Sequence, residues 1–301
     1  MKPIINFERI LCPVAESHET DEGLQYALAL ARSYHAKLFV LTCTDQHANA
    51  DEMEQTMRVG IKRAIEHSFI LFPDNAHHVD WESVLLPSRW PADSIKQKAE
   101  DEDIDLIVMS SHRQPSAAVL LGSTAEAISR TAPCPVLVTR GRRLDHLSAI
   151  GSPDFKKLLV ASDFSDDSEL ALRYGLSLAQ EYESELHLLN VMPAAEVKET
   201  EMAWNSQTEE GPYHRAARRL HDSVPAEAHL WAQVTHAVRI GTPYREIVSY
   251  AAEQKIDLIC IGAHGEGPKL DTLFGSNVDR VLRNAPCPVL ATRPLKLDAP
   301  G

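Results

Sequence analysis

The sequence predicts a tandem α/β fold of two domains, each a doubly wound, five-stranded and mostly parallel sheet flanked by helices. The first observation is the length of 301 residues, which is more than one domain with a single hydrophobic core usually contains and so favours two domains. The second is an internal repeat that aligns the two halves of the chain. The third is the alternation of short apolar runs with amphipathic stretches, which is typical of right-handed crossovers in a parallel sheet.

The repeat appears as matching residues that occur in the same order in both halves. It predicts domains over residues 1–145 and 152–298. Residues 141–154 have weak periodicity and contain Gly151 and Pro153, so this segment is predicted to be the linker. The matched segments are Tyr26 with Tyr174, Asp105-Leu106-Ile107 with Asp257-Leu258-Ile259, and Ala132-Pro133-Cys134-Pro135-Val136-Leu137 with Ala285-Pro286-Cys287-Pro288-Val289-Leu290.

The first half contains short apolar runs, which predict strands buried on both faces, and longer amphipathic stretches, which predict helices. Each strand is followed by a helix until the last one. The predicted order is strand 9–14, helix 21–34, strand 37–43, helix 51–69, strand 79–86, helix 91–102, strand 106–110, helix 123–130 and strand 135–139.

The second half repeats this order. Its last helix is predicted to begin with Ser276 as the N-cap and with Asp279 at a capping-box-like spacing. The equivalent helix of the first half shows a complete capping box from Ser123 to Glu126. The predicted elements are strand 157–162, helix 167–182, strand 185–191, helix 201–223, strand 233–239, helix 243–254, strand 257–261, helix 276–284 and strand 289–292.

Charge and cysteine content narrow the class of protein. The formal net charge of −13 argues against a general nucleic-acid or anionic-membrane surface, although a local phosphate site remains compatible with it. No apolar run approaches the roughly 20 residues that span a bilayer, and the N-terminus does not resemble a signal peptide. The five cysteines form no CxxC pair, so they are predicted to be buried reduced thiols. A cytoplasmic location is expected.

A glycine-rich stretch marks the candidate ligand site. The apolar strand 257–261 runs into Gly262-x2-Gly265-x9-Gly275-Ser276, where the last helix begins. Glycines let the backbone approach a ligand closely, and the free N–H groups at a helix start favour an anion. The sequence therefore predicts a phosphate-binding loop.

An aspartate follows the first strand of the same half. In a doubly wound sheet, ligands lie outside the carboxyl ends of the strands, where the strand order reverses. Asp163, at the end of strand 157–162, would reach this crevice and could accept hydrogen bonds from ribose hydroxyls. An N-cap or turn aspartate before the next helix is the structural alternative.

The glycine spacing, Asp163-Phe164-Ser165 and the closing Ala-Pro-Cys-Pro-Val-Leu segment together resemble the universal stress protein family, in particular its tandem-domain members and its ATP-binding branch. The resemblance covers nearly the whole chain, once per half. It implies an adenine nucleotide alpha hydrolase-like, Rossmann-like fold and a stress-response regulatory protein. The implied ligand is ATP, with ADP, AMP and an accompanying Mg ion left open.

The resemblance also implies the residues that would hold the nucleotide. Asp163 would take the ribose or the adenine edge, Val191 would read the adenine through its backbone, and residues 275–278 would hold phosphates. His264 lies in the loop with no recognisable nucleophile and acid partner, which favours a backbone role. The full set is Ala161, Ser162, Asp163, Val191, Ile261, Gly262, His264, Gly265, Gly275, Ser276, Asn277 and Val278.

The first half departs from this pattern. Ala15 stands at the position of Asp163, Ser110 at that of Gly262, Arg113 at that of Gly265, and Cys43 at that of Val191. Only Gly122-Ser123 is retained. The first domain is therefore predicted to hold a degenerate site without nucleotide.

Other readings remain open at this point. A ligand-independent scaffold would act through protein contacts, and an enzyme would be a slow ATPase or a nucleotidyl hydrolase. The Gly-x4-Gly-Lys-Ser/Thr motif is absent from the sequence, which excludes a P-loop NTPase. Adjacent histidines such as His77 and His78 point to opposite faces of an extended segment, so no metal site is predicted. No catalytic residue is predicted either.

The expected partners are an adenine nucleotide and unidentified proteins, with no nucleic acid and no membrane. The family resemblance implies that the fifth strands, 135–139 and 289–292, pair in an intramolecular pseudo-dimer. A further homodimer is left open.

Overall fold

The computed structural model describes residues 5–14, 22–44, 52, 54–56, 58–63, 79–111, 121–139, 155–194, 211–263 and 275–293. The chain divides into two compact units, one built mainly from residues 6–154 and the other mainly from residues 155–292.

The first unit alternates strands and helices as predicted. Helical residues also lie at 52, 54–56 and 58–63, within the predicted helix 51–69, whose last six residues are outside the described ones. The elements are β1 Arg9–Pro13, α1 Glu22–Tyr34, β2 Lys37–Thr44, β3 Trp81–Pro87, α2 Pro91–Asp101, β4 Leu106–Ser110, α3 Ser123–Thr131 and β5 Val136–Thr139.

The second unit repeats this order and adds one short 3-10 helix. Its second α-helix is described from Pro212, and residues 201–210 of the predicted helix lie outside the described residues. The elements are β6 Lys157–Ala161, α4 Asp166–Tyr182, β7 Glu185–Met192, α5 Pro212–Ser223, the 3-10 helix Ala226–Leu230, β8 Val234–Ile240, α6 Pro243–Gln254, β9 Leu258–Gly262, α7 Ser276–Asn284 and β10 Val289–Thr292.

Both units contain a five-stranded parallel sheet, which confirms the predicted fold class. In the first, β1 pairs with β2 and β4, and the order is β3-β2-β1-β4-β5. In the second, β6 pairs with β7 and β9, and the order is β8-β7-β6-β9-β10. The strand order therefore reverses beside β1 and beside β6, where such sheets bind ligands.

The repeated aspartates at the opposite edge are structural. Asp105 Oδ2 accepts hydrogen bonds from the amides of Glu8 at 2.8 Å and Arg9 at 2.9 Å, which holds the start of β1. Asp257 Oδ2 accepts from the amide of Lys157 at 2.8 Å and does the same for β6. Burial raises the pKa of Asp105, against the effect of the two amide hydrogen bonds. The Asp-Leu-Ile repeat thus fixes strand starts.

The predicted serine caps are wrong. The N-cap residues are Gly122 and Gly275, so Ser123 and Ser276 are the first helical residues and their side chains make no cap hydrogen bond. Gly275 has φ −56° and ψ 134°, outside the helical region, and its carbonyl accepts from the amide of Asp279 at 3.2 Å. A side chain one position inside the helix no longer reaches the free amides of the first turn.

The acidic residues of the supposed capping boxes pair along the helix instead. Glu126 Oε1 lies 2.9 Å from Arg130 Nη2, and Asp279 Oδ2 lies 3.0 Å from Arg283 Nε. Both are i,i+4 pairs whose side chains are partly buried. The start of α7 is therefore not closed by a side chain of Ser276 or Asp279.

Candidate functional site

The candidate site lies at the carboxyl ends of β6, β7 and β9. Ala161, the last residue of β6, is in register with Ile261 of β9, so the segments that follow the two strands leave the sheet side by side. Both side chains are buried, with 8% and 6% exposure, and only their backbones can face a ligand. This edge brings together the Asp163 segment and Gly262.

Residues 162–165 form a hydrogen-bonded turn between β6 and α4. Asp163 Oδ1 accepts from the Ser165 amide at 3.1 Å and from the Ser165 hydroxyl at 2.6 Å. Ser165 is also the N-cap of α4, and its Oγ accepts from the Ser168 amide at 3.3 Å. The carboxylate of Asp163 thus has a fixed place at the strand end, which combines the turn role with a position suited to ligand contact.

Asn190 ties β7 to this turn. Its Nδ2 donates to the carbonyl of Ser162 at 2.8 Å, and the Ser162 amide donates to the carbonyl of Leu189 at 2.9 Å. The next residue, Val191, is half-buried near the end of β7. Asn190 was not predicted as a site residue, although a polar residue inside an apolar strand is a signal for such a role.

Gly262 ends β9 against the first turn of α4. A Cβ atom added there would lie 2.6 Å from both the carbonyl carbon and the oxygen of Asp167, closer than real Cβ contacts. Any side chain would therefore push the helix away from the strand. This close approach is a packing reason for glycine that acts in addition to any ligand contact.

The ends of the glycine loop lie next to each other. The Gly275 amide donates to the carbonyl of Ala263 at 3.2 Å, and the Ala263 amide donates to the carbonyl of Thr292 at 3.2 Å. The predicted loop residues His264 and Gly265 lie outside the described residues. The start of α7 is therefore held at the carboxyl end of β9.

The predicted residues of α7 differ in exposure. Ser276 is exposed, Asn277 is half-buried, and the Val278 side chain is 4% exposed and belongs to the core. A ligand at this helix start could meet the Ser276 hydroxyl and the free amides of the first turn. Val278 could contribute through its backbone alone.

The equivalent position in the first unit is filled by a side chain. Ser110 ends β4, and its Oγ accepts from the amide of Gly23 in α1 at 2.8 Å. Cys43 is half-buried, and burial raises the pKa of its thiol to about 11. Ala15 and Arg113 lie outside the described residues.

A buried histidine lies on β7 that the sequence pattern did not predict. His187, on β7, has Nδ1 at 2.9 Å from the Tyr250 hydroxyl and Nε2 at 3.1 Å from Glu185 Oε1. Burial lowers the pKa of His187, while the negative charge of Glu185 acts in the opposite direction. Its partners come from β7 and α6, and contacts between elements are not visible in local periodicity.

Three further properties of the described residues bear on function. They contain no group of three or more His, Cys, Asp or Glu side chains that could hold a metal ion, and His77 and His78 lie outside them. None of the five cysteines, all of which lie in this part of the chain, forms a disulfide; Cys43 is half-buried and the others are buried. No helix in this part of the chain is long and apolar enough to cross a membrane.

The two repeated sheets and the carboxyl ends of β6, β7 and β9 define a tandem α/β protein of the kind that binds ligands where the strand order reverses. The sequence model of the universal stress protein family matches residues 6–140 and again residues 154–293. The chain therefore belongs to the universal stress protein family and contains two of its domains in tandem.

Individual relatives agree with this assignment. A universal stress protein of Methanocaldococcus jannaschii is 29% identical over 142 residues, which cover 46% of this chain and 82% of that protein. One of Mycobacterium tuberculosis is 29% identical over 192 residues, which cover 64% of this chain and 62% of that protein.

Solved structures share the fold. A universal stress protein from Archaeoglobus fulgidus superposes with a TM-score of 0.64 at 20% identity and covers 97% of this chain and 99% of its own. At this identity the similarity shows the fold alone. A universal stress protein solved in complex with cAMP covers 46% of this chain and 100% of its own, at 19% identity and a TM-score of 0.37.

Proposed function

We propose that this chain is a stress-response regulatory protein that binds one adenine nucleotide, ATP or a close relative, in its second domain. The observation that supports this most strongly is the difference between the two repeats. The second repeat has Gly262 and Asp163 at the reversal point of its sheet, whereas the sequence of the first repeat has Ser110 and Ala15 at the matching positions. Both units have the same fold, so the fold does not demand an aspartate at this position in every repeat, while Gly262 has a packing role in addition to the proposed ligand contact.

Asp163 is proposed to bind the ribose or the adenine edge. Its Oδ1 is oriented by two donors of Ser165, which fixes the carboxylate at the end of β6. A carboxylate accepts several hydrogen bonds, and the two ribose hydroxyls are matching donors. The ordering cost of the carboxylate is therefore met by the fold before the ligand arrives.

The adenine is proposed to lie between the strand ends of β6 and β7. Val191 is half-buried there, and Asn190 holds the backbone of Ser162 at 2.8 Å. Backbone groups of Val191, Ala161 and Ile261 would read the base, because the last two side chains are buried. Such a site recognises the base by shape and main-chain hydrogen bonds.

The phosphates are proposed to lie at the start of α7. Its first turn presents amides without intrahelical partners, and its N-cap is Gly275, so no cap side chain blocks them. The Ser276 hydroxyl would add a donor, and Asn277, His264 and Gly265 would complete the cradle. An accompanying Mg ion would be held mainly by phosphate oxygens and water.

Binding rather than rapid turnover is proposed. The chain lacks the P-loop sequence, and fast phosphoryl transfer requires positioned metal ligands and a group that orients water. A cytoplasmic location is part of the proposal and is supported by five cysteines that form no disulfide, which suits a reducing compartment.

Nucleotide analysis of the intact protein tests the proposal. The protein as isolated is denatured, the released small molecules are identified by mass spectrometry, and ATP, ADP and AMP are then titrated calorimetrically with and without Mg. We expect an adenine nucleotide or micromolar binding that Asp163→Ala weakens at least tenfold. An empty protein that binds none of them would instead support a ligand-independent scaffold, and phosphate release lost in Asp163→Ala would support a slow ATPase.

A further inference from the structure

Phe164 has an unusual backbone conformation next to the candidate site. Among the described residues, five non-glycine residues have positive φ, and four of them lie just after a helix: His35, Glu183 and Lys255 directly follow one, and Asp103 lies two residues after one. A left-handed residue is an ordinary way to end a helix. Phe164, with φ 67°, instead lies between Asp163 and the N-cap Ser165, before a helix.

A bulky residue keeps this conformation only where its surroundings hold it. One restraint is local, because the Phe164 amide donates to Ser162 Oγ at 3.2 Å. The other comes from a different element, because the Arg219 guanidinium carbon lies 4.0 Å from the centroid of the Phe164 ring. This is closer than the Arg239–Tyr250 and Arg280–Tyr244 contacts of 4.8 and 4.9 Å.

Arg219 is well placed to act as a fixed support. It lies on α5, whose neighbouring residues Ala216 and Leu220 are buried and which packs on β7 and β8. The Arg219 side chain itself lies on the exposed face of this helix. A cation over an aromatic face is attracted by the ring, and the planar guanidinium suits stacking.

We propose that Arg219 is a positioning residue for the nucleotide site, which rests on the proposed function. Its stack on Phe164 holds residue 164 in the left-handed region. Rotation of that residue would turn the chain between Ser162 and Ser165 and move the Asp163 carboxylate away from its Ser165 donors. Arg219 thus sets the orientation of Asp163 without touching the ligand.

The sequence of the first repeat fits this role. It has Ala15 at the aspartate position, followed by Glu16 where the second repeat has Phe164. A repeat without the ligand-facing carboxylate thus also lacks the ring on which an arginine could stack.

The test measures binding of ATP and adenosine to the intact protein by calorimetry. Arg219→Ala should weaken both about two- to fivefold, the effect expected for the cation–π contact of an exposed arginine, because the effect passes through the ribose contact of Asp163. Arg219→Lys keeps a cation for the ring and should recover part of the affinity. Phe164→Ala should match Arg219→Ala, and the double variant should lose no more than either single one. Arg173→Ala removes an exposed arginine of α4 and should bind as the native protein does.

Asp163→Ala removes every acceptor of this side chain and supplies the background that separates positioning from direct contact. There, Arg219→Ala should have no further effect on affinity. An unchanged affinity of Arg219→Ala in the native background, or an equal loss in the Asp163→Ala background, would overturn the inference and leave the nucleotide site standing. A loss restricted to ATP would also overturn it, in favour of a direct phosphate contact. Failure of the native protein to bind either ligand would overturn the proposed function itself, and the inference with it.

Discussion

The ends of β4 and β9 are equivalent positions of the two repeats, but the space between the strand end and the neighbouring helix start is filled differently in each. In the first unit, the Ser110 hydroxyl fills it and accepts a hydrogen bond from the Gly23 amide at 2.8 Å. In the second, Gly262 leaves it to the backbone of Asp167, 2.6 Å from where a Cβ would lie. In the first unit, the start of α1 therefore donates a hydrogen bond to the side chain at the strand end. In the second unit, the start of α4 packs directly against the strand.

The comparison separates the features that both units share from the features of the second unit alone. Glycine N-caps at Gly122 and Gly275, the i,i+4 pairs of α3 and α7, and the aspartates at the strand starts occur in both units. Asp163, Gly262 and the Phe164–Arg219 stack belong to the second unit alone in sequence or in described structure. The proposal of function depends on this second group.

Exchanging the residues at this position should have the largest effect. Gly262→Ser places a side chain against the Asp167 backbone, so we expect a loss of about 1–3 kcal/mol in unfolding free energy from overpacking and loss of nucleotide binding. Denaturant unfolding and calorimetry measure the two effects.

The reverse exchange is the matched control. Ser110→Gly removes the acceptor of the Gly23 amide and should cost about 1 kcal/mol of stability while nucleotide affinity stays unchanged. A Gly262→Ser protein with native stability would show that α4 is not held against β9 as described.

Equivalent buried positions of the two repeats hold a titratable residue in one unit and a phenylalanine in the other, which predicts that their stabilities differ in pH dependence. His187 of β7 corresponds to Phe39 of β2, and burial lowers the pKa of His187 below its ordinary value of 6.5. The unfolded chain therefore takes up a proton first as the pH falls below about 6.5, and the folded state loses stability until its own pKa is passed. The first unit lacks this contribution.

The double variant His187→Phe, Tyr250→Phe tests this difference without leaving the tyrosine hydroxyl unpaired. Thermal unfolding between about pH 5.5 and 8 should show a shallower loss of stability on the acid side than in the native protein. A slope remains, because burial and the charges of His221 and His229 also lower the pKa of His236. An unchanged slope of stability against pH would show that His187 does not contribute to the acid sensitivity.

The first serines of α7 and α3 should differ in binding but not in stability. Neither Ser276 nor Ser123 caps its helix, so replacing either with alanine should leave the melting temperature nearly unchanged. Ser276→Ala should weaken ATP binding about five- to tenfold through loss of one hydrogen bond to phosphate, and Ser123→Ala should not. Equal affinities of the two variants would exclude Ser276 from the site.

The smallest effect is expected at the i,i+4 pairs that both units share. Arg283→Ala and Arg130→Ala each break one i,i+4 pair and should cost about 0.3–0.5 kcal/mol. Urea unfolding should give the same small loss for both. A much larger loss for Arg283→Ala would mean that this pair has a role peculiar to the second unit.

The sequence predicted what depends on local pattern. Apolar runs and helical periodicity located the strands and helices, and the repeat indicated that both halves have the same order of elements along the chain. The serine caps were wrong because a good cap residue and its neighbour differ by one position, and backbone dihedrals decide between them.

Contacts between distant elements could not be predicted. Arg219 and Phe164 are far apart in sequence, as are Gly23 and Ser110, and no periodicity links either pair. Gly262 was predicted as a ligand-loop glycine, and in the structure it also lies against the start of α4. The same residue serves packing and the proposed site, and sequence alone does not distinguish these roles.

The number of nucleotides bound per intact chain tests the central claim most directly. Equilibrium dialysis with saturating radiolabelled ATP should give one nucleotide per chain for the native protein and for Ser123→Ala, and a large loss for Asp163→Ala. This result would place the ligand in the second unit and leave the first without one. Two nucleotides per chain, or none, would contradict the account.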